Sequence, residues 1–146
     1  MHPLLVPGEW LVEGRYHPTG KAARQVAGVT TVHAAEEYPE TLRVNGEIRG
    51  LGDTDARPVH SNFHLDVVSS QKVRFRMDSQ PLATVLVGEG HYDDHIMVIR
   101  YASPDRRILG VETFVGVSRD EIRHSGVMLA DGAPVTSWLA RLERVK

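Results

Sequence analysis

From Glu9 to Val145 the chain is a succession of short runs in which apolar and polar residues alternate, each closed by a turn sequence. "VHSNFHLDVV" sets Val59, Ser61, Phe63, Leu65 and Val67 against His60, Asn62, His64 and Asp66. "KVRFRMD" sets Val73, Phe75 and Met77 against Lys72, Arg74 and Arg76. Alternation with a period of two puts successive side chains on opposite faces of a strand. "EWLVEGRYHP" does the same, with Trp10, Val12, Gly14 and Tyr16 on one face. "GVTTVHAAEEY", "ETLRVNGEIRG", "PLATVLVGEG", "HIMVIRYAS", "RILGVETFVGV", "EIRHSGVMLADG" and "PVTSWLARLERV" complete the set. "SPDRR", "SRDE" and "DGAP" read as turns, and "LGDTDARP" as a loop. Asn45-Gly46 fits either a tight turn or a bulge within a longer strand. "PTGKAARQVAG" allows one turn of helix at most.

No period-3.6 run is long enough for a bundle, and the strand–helix alternation of a parallel α/β protein is missing. Sequential strands with short turns are best satisfied by closing on themselves, which removes both edges. The expected fold is all-β: one antiparallel up-and-down barrel of eight to ten strands, in a single domain over residues 1–146, a length that buries a core without staples.

Several classes are disfavoured. The chain has no cysteine, so it offers no disulfide framework or thiolate chemistry. With "MHPLLVPGEW" lacking a basic region and a long apolar run, a cytoplasmic location is expected. No run approaches the ~20 apolar residues of a membrane helix, so no membrane partner is expected. The 17 basic and 19 acidic residues form no basic stripe, so neither is nucleic acid. Walker, dinucleotide, EF-hand and Gly-x-Ser-x-Gly motifs are absent.

The eight histidines invite a metal. In "HYDDHIMVIRY", His91 and His95 lie four apart, a spacing that shares one ion only on a helix. On a strand they sit about 13 Å apart, and the same holds for His60 and His64. Histidines from neighbouring strands, among His33, His60, His64, His91, His95 and His124, leave a cross-strand site open, but no metal and no cofactor are expected, although one axial histidine is enough to hold a haem.

The ends of the chain carry a resemblance. Gly8 and Trp10 in "PGEWLVEGRY" resemble the Gly-x-Trp first strand of the lipocalin-like, or calycin, barrels. "SWLARLERV" looks like their last strand, whose arginine packs across that tryptophan; Arg141 or Arg144 would supply it. The layout is similar to small bacterial lipocalin-like domains, but without a convincing N-terminal helix. The resemblance implies a cup for a small molecule, in families that include carriers, haem binders and cofactor-independent cyclases and isomerases of natural-product pathways.

Parity then nominates the cup. His95 shares a face with Met97, Ile99 and Tyr101, and is either a base in an apolar cavity or a histidine bonded to a neighbouring strand. Glu112, in the apolar run "ILGVETFVGV", faces either the cavity or water. Trp10, Tyr16, Phe63, Phe75, Met77, Met97 and Trp138 are the candidate pocket wall, with Trp10 as a plug at one end. The expected ligand is small and mostly apolar. For an enzyme, the catalytic candidates are His95, Glu112 and Tyr101. A non-catalytic carrier or haem-binding barrel is the alternative, and a solidly packed interaction domain a third reading. Whether there is catalysis stays open, as does the oligomeric state, a homodimer among the options.

Overall fold

The computed structural model describes residues 1–35, 40–52, 58–79 and 82–146. A short 3-10 helix, η1 (Pro3–Leu5), precedes ten strands: β1 (Gly8–Pro18), β2 (Arg24–Ala34), β3 (Thr41–Gly50), β4 (Val59–Val67), β5 (Lys72–Ser79), β6 (Thr84–Tyr92), β7 (Ile96–Ala102), β8 (Ile108–Ser118), β9 (Glu121–Ala130) and β10 (Ala133–Arg144). Each strand pairs antiparallel with its sequence neighbours, and β10 pairs with β1, closing one ten-stranded barrel. The expected all-β meander barrel is therefore what forms. Asn45 and Gly46 lie inside β3, in unbroken register with β2 and β4, so there is neither a turn nor a bulge there.

The two ends differ. At one end Trp10, Val32, Leu42, Leu65, Val73, Met97, Phe114, Ile122 and Leu142 point inward and pack into a buried core. Burying each large apolar side chain contributes about 1.5–3 kcal/mol. This end is sealed by η1, whose Leu4 and Leu5 join the core. The helix is missing from the sequence reading because three residues are too few to show a period. Pro3 and His2 hold it in place. A Cβ at Gly116 would come 2.9 Å from the Pro3 ring, so the glycine lets η1 settle on β8.

His2 is fully buried. Its Nδ1 accepts the Leu4 N–H at 3.2 Å, and its Nε2 lies 3.1 Å from the Phe114 carbonyl oxygen, to which it donates. That pair of bonds fits a neutral ring protonated on Nε2. Burial pulls its pKa below the ordinary 6.5, against the opposing pull of the Phe114 carbonyl.

Arg144, not Arg141, packs on the N-terminal tryptophan: its guanidinium carbon sits 4.2 Å from the Trp10 ring centroid. It also donates to the carbonyls of Arg119, Pro7 and Pro3, tying β10 to the β8–β9 turn and to the segment before β1. A Cβ on Gly8 would collide with this guanidinium, which is a physical reason for glycine two residues before Trp10. Arg141 points outward to Glu121 and Glu143.

Candidate functional site: the open end of the barrel

At the opposite end the strands β1, β2, β3, β9 and β10 carry inward side chains that are only half-buried: Tyr16, Val26, Ile48, Met128 and Trp138. A side chain that points into a closed barrel and still meets solvent meets it inside the lumen. The inward positions below them are small: Gly14, Gly28, Thr30, Gly46, Ser61, Gly126 and Ala140. At Gly46 an added Cβ would find nothing nearer than Thr30 Oγ1 at 3.5 Å, so a side chain can start there in ordinary van der Waals contact with Thr30 and Ser61. A cavity of about 570 Å³ opens at the mouth between the ends of β1, β2 and β3. Tyr16, Val26, Ile48, Leu51 and Val59 are among its lining.

Two glycines hold aromatic rings against the wall. Trp138 lies opposite Gly126 across β9–β10, and Tyr101 opposite Gly110 across β7–β8. A Cβ at either glycine would run into the ring of its partner. Both rings therefore lie along the sheet, not across the lumen. Tyr101 stacks on Phe75 at 4.8 Å between centroids. Burial, with the nearby Glu112 charge, raises its phenol pKa far above normal, so it stays a proton-bearing donor.

Glu112 points inward from β8 and is only 6% exposed. Its Oε1 is 3.1 Å from His124 Nε2. Its Oε2 is buried with no hydrogen-bond partner among the described residues. His124, on β9, stacks face to face on its cross-strand neighbour Phe114 at 4.0 Å. Its side chain remains 18% exposed. Trp138 Nε1 points at the same His124 Nε2, at 3.3 Å. Three strands thus bring a carboxylate, an imidazole and an indole N–H to one point on the wall. Tyr16, the cross-strand neighbour of Trp138, stands beside it near the mouth.

The sequence candidates divide accordingly. Glu112 and Tyr101 are inward and lie on one side of the interior. His95 is not with them: it sits exposed in the β6–β7 turn, where its N–H and that of Ile96 cap the Asp93 carboxylate. Its parity was that of Met97 and Ile99, but the strand ends before it and the turn carries it out of the barrel. Of the candidate wall, Tyr16, Met77 and Trp138 are half-buried near the open end. Trp10, Phe63, Phe75 and Met97 are packed into the core and line no open space. His124 counts in the sequence only among the histidines that could meet a metal across strands; its parity with Ile122 and Met128 on "EIRHSGVMLADG" was the signal for an inward place. Among the described residues, no three His, Asp or Glu side chains gather as a metal site would require. No described helix is long and apolar enough to cross a membrane.

No family model matches the sequence, and no curated protein matches it. Solved structures do. An S-type phycobiliprotein lyase, CPES, from Guillardia theta shares 15% identity over 99% of this chain and 90% of that one, with a TM-score of 0.70. Rv2717c from M. tuberculosis shares 16% over 99% and 94%, with a TM-score of 0.74. The fold is the lipocalin-like, calycin-type barrel. A DUF3598-family protein of unknown function from Nostoc punctiforme PCC 73102 is also similar, at 14% identity and a TM-score of 0.64, but this chain spans only 48% of it. Identities this low establish architecture and nothing about ligand.

Proposed function

We propose that the barrel binds a small, mostly apolar molecule through its open end, with the lumen between β1–β3 and β9–β10 as the site. The observation that carries this reading is the contrast between the two ends. One is filled by large side chains and sealed by η1; the other is walled by small residues, with aromatic rings folded against the sheet. An apolar cup with a few convergent polar groups is the usual form of a small-ligand site.

Titration with 1-aminoanthracene, a fluorescent apolar probe, tests it. Saturable one-to-one binding is expected, weakened about tenfold or more, the equivalent of 1.4 kcal/mol, in Gly46→Ile, whose inward side chain would extend past Thr30 and Ser61 into the lumen. Binding that does not saturate, or that Gly46→Ile leaves unchanged, overturns the reading.

A second reading, an isomerase or cyclase working without a cofactor, is favoured by the Glu112–His124 pair and the protonated Tyr101 phenol. In it the pair takes a proton from carbon beside a ligand carbonyl, and Tyr101 donates to the oxygen on which charge develops. Exchange of the methyl protons of 2-acetylnaphthalene in D2O, followed by NMR, decides between the two. Exchange accelerated by the protein and lost in Glu112→Gln supports catalysis. Binding without exchange leaves a carrier.

A further inference from the structure

The arrangement at His124 is incomplete, and what is missing describes the ligand. Glu112 Oε1 and Trp138 Nε1 both address a single nitrogen, His124 Nε2, at 3.1 and 3.3 Å. A ring nitrogen carries either a proton or a lone pair. If Nε2 bears the proton and donates it to Glu112, the indole N–H of Trp138 has lost its acceptor. If Nε2 offers its lone pair to Trp138, the carboxylate has lost its donor. Under either assignment Glu112 Oε2 stays buried and without a donor among the described residues. A buried carboxylate oxygen left unmatched is costly, and natural cores retain such groups rarely. A carboxylate, being acceptor-only, can be satisfied only by a donor.

Resting on the lumen as the ligand site, we infer that the ligand is an apolar molecule bearing one hydrogen-bond donor and one acceptor close together. Glu112 Oε2 has no exposed surface, and the mouth cavity is lined by neither Glu112 nor Trp138. The ligand therefore enters by parting the half-buried Trp138 and His124, which brings its N–H or O–H to Oε2 and its oxygen to Trp138 Nε1. His124 then donates Nε2–H to Glu112 Oε1, and every polar group of the cluster is matched. The ligand's flat or hydrocarbon portion lies along the Trp138 face that Gly126 holds against the wall. A purely hydrocarbon ligand would bury the same groups and complete none of them, so the site discriminates against it.

The test uses the full chain and two probes of one shape, naphthalene-2-carboxamide, which carries the donor and the acceptor, and 2-methylnaphthalene, which carries neither. Each competes with 1-aminoanthracene, against the unaltered protein, Glu112→Gln and Trp138→Phe. The carboxamide is expected to bind about tenfold or more tightly than the hydrocarbon, the scale of a single net hydrogen bond. Each substitution should erase most of that preference, read as the ratio of the two affinities within one protein, so that a loss of apolar contact common to both probes cancels. In the proton NMR spectrum, the Trp138 indole N–H should move downfield with the carboxamide alone, with Trp10 as the internal control.

Equal affinity for the two probes, or a preference that survives both substitutions, overturns the inference while the cup itself stands. Displacement by neither probe, with 1-aminoanthracene bound, overturns it as well. Failure of 1-aminoanthracene to bind at all instead removes the lumen as a site, and the inference with it.

Discussion

At Gly126 the absence of a side chain is what lets Trp138 lie flat, because a Cβ would run into its six-membered ring. Gly126→Val should push the indole off the wall and into the lumen. Overpacking of this kind costs about 1–3 kcal/mol, and it should also block probe binding. A denaturation midpoint and a 1-aminoanthracene titration on the same protein check both. His95→Ala should change neither, since that side chain is exposed in a turn. His2 makes the opposite case. Its folded pKa is lowered from 6.5, so below that pH the unfolded chain takes up a proton that the folded one refuses. Stability should therefore be flat above about pH 6.5 and fall as the pH drops through the window beneath it. Comparing urea midpoints at pH 7.5 and 5.5 for the unaltered protein and His2→Gln checks this: the loss on acidification should be smaller in the variant.

Between elements, the barrel is fastened where its first and last strands meet. The β1–β10 pairing runs in register from Trp10 opposite Arg144 to Pro18 opposite Thr136. Arg144 reinforces it through the Trp10 face and through carbonyls of Pro3, Pro7 and Arg119. Arg144→Ala removes a cation–π contact and charge-assisted bonds, and should cost about 1–3 kcal/mol. Because it also frees η1, hydrogen exchange should rise first at the amides of Leu5 and Val6, which bond back to His2 and Pro3. An exchange pattern unchanged there would mean that Leu4 and Leu5 alone hold the plug.

Across the whole molecule, the packed and open halves set opposite expectations for the same kind of change. Met97→Trp enlarges a side chain that has no exposed surface, so it should destabilise the protein by about 1–3 kcal/mol or more. Gly46→Ile enlarges one where a Cβ meets no clash, and replaces glycine by a good strand former. Its melting temperature should hold or rise while ligand affinity falls. Thermal melts of the two variants side by side measure the asymmetry directly, and a destabilised Gly46→Ile would mean that the lumen is filled.

What the sequence determined by itself was the architecture. Period-two alternation assigns each side chain a face, and chain order with short turns leaves a meander that closes. Gly8, Trp10 and either Arg141 or Arg144 marked the seam only through the resemblance to lipocalin-like barrels; the structure chose Arg144. Glu112 was legible as a carboxylate out of place in an apolar strand. Tyr101 was legible by parity, and so were Tyr16 and Trp138. Parity says only which face a residue is on. It does not say at what height in the barrel the residue sits, and height separated the packed Met97, Phe63 and Phe75 from the half-buried Trp138. Height depends on how each strand is staggered against its neighbours, a property of the closed sheet that no single strand carries. The same stagger brought His124 beside Glu112 and Trp138 from separate strands. The turn after Tyr92, whose geometry is fixed by the Asp93 carboxylate, carried His95 out to solvent.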